Sequence, residues 1–273
     1  MGDEPERAIR GQLFDQVPEL YDRVRPGYPS ALFADLVGIT GLASGASVLE
    51  VGCGTGQATR PLAERGYNIV AVEPGLGLAE LARQRVADFP NAKIEISTFE
   101  AWEDRNRSFD LVVAASSWHW VDQAIGWPRA HDIVNPGGWM AILGNVVIVR
   151  PGEPELYAET ADLHQLHVPD NPDWGHPPTE AEVRATSTGW GPSTEDPEGF
   201  FGPTVVRWYP MVQRFDGAGM ADHLRSLSPY RRLDESDRER LLEAITDHIR
   251  TRMNDQISRH YLSVLRIGKR ANR

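Results

Sequence analysis

Ser47 to Pro74 reads SVLEVGCGTGQATRPLAERGYNIVAVEP, and this stretch decides the fold. Ser47 to Val51 is a short β-rich run that stops at Gly52-Cys53-Gly54-Thr55-Gly56, after which Gln57 to Arg65 has helical character. Asn68 to Val72 is a second apolar strand, and Leu76 to Ala87 has the Leu/Ala spacing of an amphipathic helix. Outward from this unit the alternation continues. Lys93 to Ser97 reads as a third strand, Phe109 to Ala114 as a fourth, and Trp139 to Leu143 as a fifth after the turn Asn135-Pro136-Gly137-Gly138. Strands alternating with helices bury both faces of a parallel sheet, so the pattern predicts an α/β, doubly wound, mostly parallel sheet.

Beyond Arg150 the pattern changes. Residues 151–203 are rich in Pro, Gly, His and Trp and hold one convincing helix, Glu155 to His167, which reads as an insertion. Val205 to Phe215 alternates like a strand that Pro210 confines to an edge or bulge. Met220 to Leu227 and Ser236 to Met253 are helical, the second capped by Asp234 or Ser236, and Tyr261 to Ile267 closes the sheet. The expected organisation is a helical cap over 1–45, a ligand-binding core over 46–150, an acceptor-side insertion or lid over 151–203, and C-terminal strands and helices over 204–273.

The chain has 273 residues, enough for a sizeable core without staples. Lys plus Arg number 28 against 39 Asp plus Glu, a net charge of −11 that repels a phosphate backbone and argues against nucleic acid as a partner. The basic cluster Arg266, Lys269, Arg270 and Arg273 reads as a frayed, solvated end. Cys53 is the single cysteine, so no intrachain disulfide forms and no cysteine zinc site is available. Met1 to Gly11 is charged and the apolar runs are short, which predicts a soluble cytoplasmic protein without membrane attachment.

In a doubly wound sheet the ligand sits beyond the carboxyl ends of the strands, where a glycine turn lets backbone approach it. The spacing Glu50-x-Gly52-x-Gly54-x-Gly56 departs from the dinucleotide fingerprint G-x-G-x-x-G. Glu73, 17 residues after Gly56 at the end of the second strand, is placed to accept hydrogen bonds from both hydroxyls of a ribose. The constellation describes a nucleoside site.

VLEVGCGTGQATRPLAERGYNIVAVEP, with SFDLVVAASSWHWVD (108–122) and NPGGWMAIL (135–143), resembles the class I S-adenosylmethionine-dependent methyltransferases acting on small molecules. The resemblance is strong over Phe14 to Gly144, and YDRVRPGYP at Tyr21 to Pro29 is similar to the opening of a subgroup related to trans-aconitate methyltransferases. It implies a seven-stranded Rossmann-like sheet and S-adenosylmethionine as cofactor. By position, Gly52, Gly54 and Gly56, with Cys53 between them, would pass under the methionine part. Glu73 beside Pro74 would hold the ribose, and Phe99 and Glu100 would meet the adenine. Ser116 also belongs to the implied cofactor site. Tyr21 and Arg25 fall on a segment laid over the cofactor, Arg25 either pairing with its carboxylate or staying exposed on a capping loop. Glu50 serves either the cofactor's amino group or only the loop amides. Cys53 has no neighbouring base and reads as a small packing residue.

A sulfonium is a permanent cation, so an acidic and aromatic lining suits it. Methyl transfer needs chiefly positioning, plus a general base when the acceptor is a hydroxyl. His119, in Ser116-Ser117-Trp118-His119-Trp120 after the fourth strand, is the candidate base, and Trp118 and Trp120 are candidate acceptor platforms. His164, His167 and Trp174 are candidate lid contacts, with a metal at His164 and His167 as the alternative to the no-metal site expected. The resulting expectation is O-methylation of a small-molecule hydroxyl. A carboxylate acceptor, C-methylation and a non-catalytic nucleoside-binding module remain as alternatives. Against the carboxylate stands the lack of a basic cluster after the fourth strand, unless Arg150, Arg184 and Arg207 converge from the insertion. The insertion is also a candidate surface for a homodimer.

Overall fold

The computed structural model describes residues 18–169, 176–186, 189–191 and 194–272. Seven strands form one sheet: β1 (Ser47–Val51), β2 (Asn68–Val72), β3 (Ala92–Glu95), β4 (Phe109–Ala115), β5 (Val134–Ile148), β6 (Val205–Phe215) and β7 (Ile257–Lys269). Their spatial order is β3-β2-β1-β4-β5-β7-β6. The pairings among β1 to β5 are parallel, and β7 runs antiparallel to both β5 and β6. Strand order reverses between β1 and β4, which opens a crevice beyond their carboxyl ends. The fold is the α/β, Rossmann-like sheet that the sequence indicates.

Alternation along the strands splits the core into two layers. On one face Val48, Ile69, Leu111, Val113, Ala141, Leu265 and Ile267 meet α2 (Ser30–Thr40), α3 (Thr59–Ala63) and α4 (Leu76–Arg85) chiefly through Leu32, Phe33, Leu36, Leu62 and Ala82, and α1 (Pro18–Val24) lies against α4. On the other, Leu49, Val51, Val112, Ala114, Met140 and Ile142 meet an aromatic layer of Phe99, Trp102, Trp118, Trp127, Trp190 and Phe201, which includes α5 (Gln123–Ile133). The Trp127 ring packs edge-on against Trp118 and tilted against Trp190, with centroids 5.0 and 5.1 Å away, so truncating it would cost about 3–5 kcal/mol.

A third cluster lies at the Ile257 end of β7. It joins α6 (Leu156–Glu159), α7 (Ala161–His167), α9 (Gly217–Arg225), α10 (Ser228–Arg231) and α11 (Glu235–Arg252) through Leu156, Met220, Leu224, Tyr230, Leu241, Ile245 and Ile249. The insertion also carries α8 (Glu180–Thr186). No helix among the described residues is long and apolar enough to cross a membrane.

Four sequence expectations change. Glu155 to His167 is not one helix: it breaks at Thr160, whose hydroxyl turns back to the Leu156 carbonyl. β5 extends from Val134 to Ile148, because β7 pairs with it as far as Ile148↔His260. Of the basic end, Arg273 lies outside the described residues and the rest is ordered into the sheet. Arg266 is buried inside β7, which pairs on both sides, and Lys269 ends the strand over the Trp139 ring. Asp234 stands at the cap position of α11 without a side-chain cap bond. Pro210 does lie on an edge strand, β6.

Candidate active site

The glycine turn is shaped by its neighbours. The amides of Gly52 and Cys53 both donate to the Val72 carbonyl, at 2.8 and 3.1 Å, drawing the loop toward β2. Gly52 has φ +66°, and a Cβ there would stand 2.6 Å from the Ser117 Cβ. Gly54 also has positive φ, yet a Cβ there would meet nothing within 4 Å among the described residues, so they leave the middle of the loop open above its backbone. The Ser117 hydroxyl donates to the Val51 carbonyl and ties the end of β4 to the end of β1.

Two carboxyls face this loop. Glu73 accepts from the Gly54 amide at 2.8 Å and the Gly75 amide at 2.9 Å, which holds its oxygens at the glycine turn. Glu50 is wholly buried, and neither of its oxygens has a hydrogen-bond partner. Burial, reinforced by the nearby Glu73 charge, pushes the Glu50 pKa up to about 8. Cys53 is buried and its thiol is pushed well above the usual range by the same desolvation, so it is an unreactive packing group.

The segment before α2 closes the site from the side. The Gln57 side-chain amide donates to the Arg25 carbonyl at 3.4 Å, and the Arg25 guanidinium stacks over the Tyr21 ring and donates to the Ser226 carbonyl. Ser116, with φ +57°, hydrogen-bonds Tyr28 at 2.8 Å. Pro74 is exposed beside Glu73. Phe99 is buried against Trp118, 5.8 Å between centroids, and a Glu100 oxygen accepts from the Asp122 amide that starts α5.

His119 stands on the short 3₁₀ turn Trp118–Trp120, exposed at the carboxyl rim of β4. Its ring nitrogens have no hydrogen-bond partner among the described residues, and the protein packed around it holds its pKa below the ordinary histidine value. It is therefore neutral near pH 7, the form in which an imidazole accepts a proton. Trp120 lies against it, 4.6 Å between ring centroids.

Other expected acceptor contacts fall elsewhere. Trp118 is 1% exposed and lies between Phe99 and Trp127, in the core below the rim, because its side of the turn faces the aromatic layer. His164 is buried in the helical cap, bonded to Thr160 and to Tyr230, while His167 lies half-buried one turn on. No group of three or more metal-ligating side chains occurs among the described residues. Trp174 lies outside the described residues. Arg150, Arg184 and Arg207 do not converge: Arg150 pairs with Glu153, Arg184 with Glu180, and Arg207 is exposed on the edge strand.

Residues 48–138 match the family model described as "Methyltransferase domain". This core is a class I S-adenosylmethionine-dependent methyltransferase domain. An uncharacterized methyltransferase of Mycobacterium tuberculosis is 34% identical over 132 residues, 48% of this chain and 51% of that protein. Trans-aconitate 2-methyltransferase of Variovorax paradoxus is 30% identical over 140 residues, 48% of this chain and 50% of that protein. The chain thus spans about half the length of the curated relatives it matches. A solved structure from Anaeromyxobacter dehalogenans, assigned as a type II methyltransferase, has a TM-score of 0.62 at 24% identity, covering 90% of this chain and 97% of that one. That likeness concerns the fold.

The cofactor of the methyltransferase domain is S-adenosylmethionine, and the residues present fit it. The open backbone at Gly54, the Glu73 carboxylate beside it and the orphaned carboxyl of Glu50 form an acidic cradle for a cationic nucleoside.

Sequence reasoning missed one group of residues. Arg259, Tyr261 and His223 meet beyond the rim, with Tyr157 and Tyr230 from the helical cap. The available signal was ISRHYLSVLRI (257–267), where an arginine sits inside an otherwise strand-like run.

Proposed function

We propose that this protein transfers a methyl group from S-adenosylmethionine to an oxygen of a small-molecule acceptor, with a hydroxyl as the preferred acceptor. When bound, the cofactor supplies an electrophilic methyl group on a sulfonium. Glu73 holds the ribose, the glycine turn with Cys53 carries the methionine part, and Phe99 and Glu100 flank the adenine. Glu50, Tyr21, Arg25, Pro74 and Ser116 complete the enclosure. His119 takes the acceptor proton at a ring nitrogen as the oxygen attacks, and Trp120 positions the acceptor beside it. The observation that carries the hydroxyl reading is His119 itself: a neutral imidazole at the carboxyl rim of β4 with no partner for its ring nitrogens among the described residues.

A carboxylate acceptor is the second reading, favoured by the similarity to a trans-aconitate 2-methyltransferase. A carboxylate is a sufficient nucleophile without a base, so the two readings differ in their need for His119. With a single, buried cysteine the chain suits a reducing compartment, and we assign the activity to the cytoplasm. The test is incubation with methyl-labelled cofactor and matched hydroxyl and carboxyl acceptors, reading product mass. Label on a hydroxyl, lost in His119→Ala, supports the proposal; label only on carboxyls, undiminished in that variant, rejects the base.

A further inference from the structure

Distant parts of the chain converge on one phenol. The Ser263 hydroxyl of β7 donates at 2.6 Å to Oδ1 of Asn145, its cross-strand partner on β5, and Nδ2 of Asn145 donates to the Gly27 carbonyl at 3.1 Å. Gly27 precedes Tyr28 in the segment between α1 and α2. The Tyr28 ring packs edge-on against Phe33 of α2, 6.4 Å between centroids, and its hydroxyl meets the Ser116 hydroxyl at 2.8 Å. Tyr28 is thus held at its backbone and at its ring, and its hydroxyl is delivered to the carboxyl end of β4.

Ser116 carries an uncommon backbone. Its φ is +57°, a conformation that favours glycine, while its amide donates to the Leu143 carbonyl at 2.8 Å and prolongs the pairing of β4 with β5. Ser117 packs against Gly52, and His119 follows three residues after Ser116, so the exposed Ser116 stands between the glycine turn and the imidazole. A side chain kept on a left-handed backbone at such a junction points to a use for that side chain.

An inventory of protons shows what the use is. Each of the two hydroxyls has one proton, and among the described residues each has the other as its only hydrogen-bond partner. One O–H joins the pair and the other is left over. A phenol is the better donor and the poorer acceptor of the two, so Tyr28 donates and the spare proton is that of Ser116, the more exposed residue. Burial raises the Tyr28 pKa above the ordinary phenol value, against the opposing effects of the Ser116 hydrogen bond and Arg25. Tyr28 therefore keeps its proton and is not a second base beside His119. The spare donor is uncharged and the Glu73 carboxylate already faces the glycine turn, so the partner it suits is a neutral oxygen.

We propose that the Ser116 hydroxyl, oriented by Tyr28, binds a neutral oxygen of the acceptor adjacent to the hydroxyl that gives its proton to His119. The acceptor class is then a compound with two neighbouring oxygens, one methylated and the other a carbonyl or a second hydroxyl. The inference rests on the methyltransferase reading above and names its substrate class. In that reading the Ser116 backbone borders the cofactor; its hydroxyl is here given to the acceptor, and Tyr28 is a positioning residue.

The experiment is calorimetric titration of the full chain, saturated with S-adenosylhomocysteine and in parallel without it, with catechol, salicylamide and phenol. Catechol or salicylamide should bind about three- to tenfold more tightly than phenol, the worth of one neutral hydrogen bond. In Ser116→Gly the three compounds should bind alike, and the melting temperature should rise because glycine accepts the positive φ. In Tyr28→Phe, which keeps the ring on Phe33, the preference should fall while S-adenosylhomocysteine affinity and melting temperature hold. Equal binding of all three by the wild type, binding of none, or a preference that survives Ser116→Gly would overturn the proposal.

If Ser116→Gly does not fold, Tyr28→Phe decides. A Tyr28 that serves folding alone predicts a lower melting temperature with the preference intact, and that result would also overturn the proposal. A preference that depends on Ser116 in a chain that ignores S-adenosylhomocysteine would instead sink the cofactor reading and keep the acceptor site.

Discussion

The two halves of the site are built differently. The cofactor half is almost continuous in sequence: Glu50, Gly52, Gly54, Gly56 and Glu73 lie within 24 residues and are fixed by loop amides, a strand end and positive φ angles. The region beyond the rim brings Tyr157, His164, His223, Tyr230 and Arg259 together across more than 100 residues, through antiparallel pairing of β5, β7 and β6 and the helices stacked on them. A nucleoside can be recognised by one supersecondary unit. An acceptor is recognised by whatever the later chain folds over that unit, which is how one sheet serves many acceptors.

The largest expected difference between the halves is at His119. His119→Ala should lower turnover on a hydroxyl acceptor by about 10²–10⁴-fold, with S-adenosylhomocysteine affinity unchanged by calorimetry. A parallel loss of cofactor affinity would move His119 into the cofactor half.

Gly52→Ala comes next. The left-handed backbone and the 2.6 Å approach to Ser117 should together cost about 2–5 kcal/mol of stability, measured by denaturant unfolding. Gly54→Ala has the same backbone penalty but open space, so stability should fall by only about 1–2 kcal/mol. If Gly54→Ala proves the more destabilising of the two, the loop is not held as described.

Glu73→Ala removes a charged acceptor and should weaken S-adenosylhomocysteine binding about 10- to 100-fold. Unchanged nucleoside affinity in a folded variant would remove Glu73 from the ribose.

A further difference concerns pH. Glu50 titrates at about 8 in the folded chain against an ordinary carboxyl value of about 4.5 unfolded. Between those values the folded state keeps a proton that the unfolded state has lost, so the ligand-free protein loses stability as pH rises from 4.5 to 8. Glu50→Gln should flatten that slope in melting experiments. A cation bound beside Glu50 favours its ionised form, so S-adenosylmethionine affinity should rise with pH toward 8, by at most about tenfold per unit. Identical pH profiles in wild type and variant would contradict the role given to Glu50.

Legibility followed the same division. Strand, glycine turn, helix, strand and acid are local signals, so β1, β2, the Gly52 turn and the position of Glu73 could be read directly. Helix ends and pairing depend on distant partners, which is why the length of β5 and the break at Thr160 were not readable. Trp118 and His119 are neighbours in sequence, yet one packs under Phe99 and the other stands at the rim, a choice made by the aromatic layer.

The central claim is that the glycine turn with Glu50 and Glu73 is a sulfur-nucleoside site, and calorimetric titration of the purified chain with S-adenosylmethionine and S-adenosylhomocysteine, with NAD as control, tests it most directly. Saturable one-to-one binding of both sulfur nucleosides and none of NAD is predicted. Saturable binding of NAD, or of none of the three by a folded protein, would contradict it.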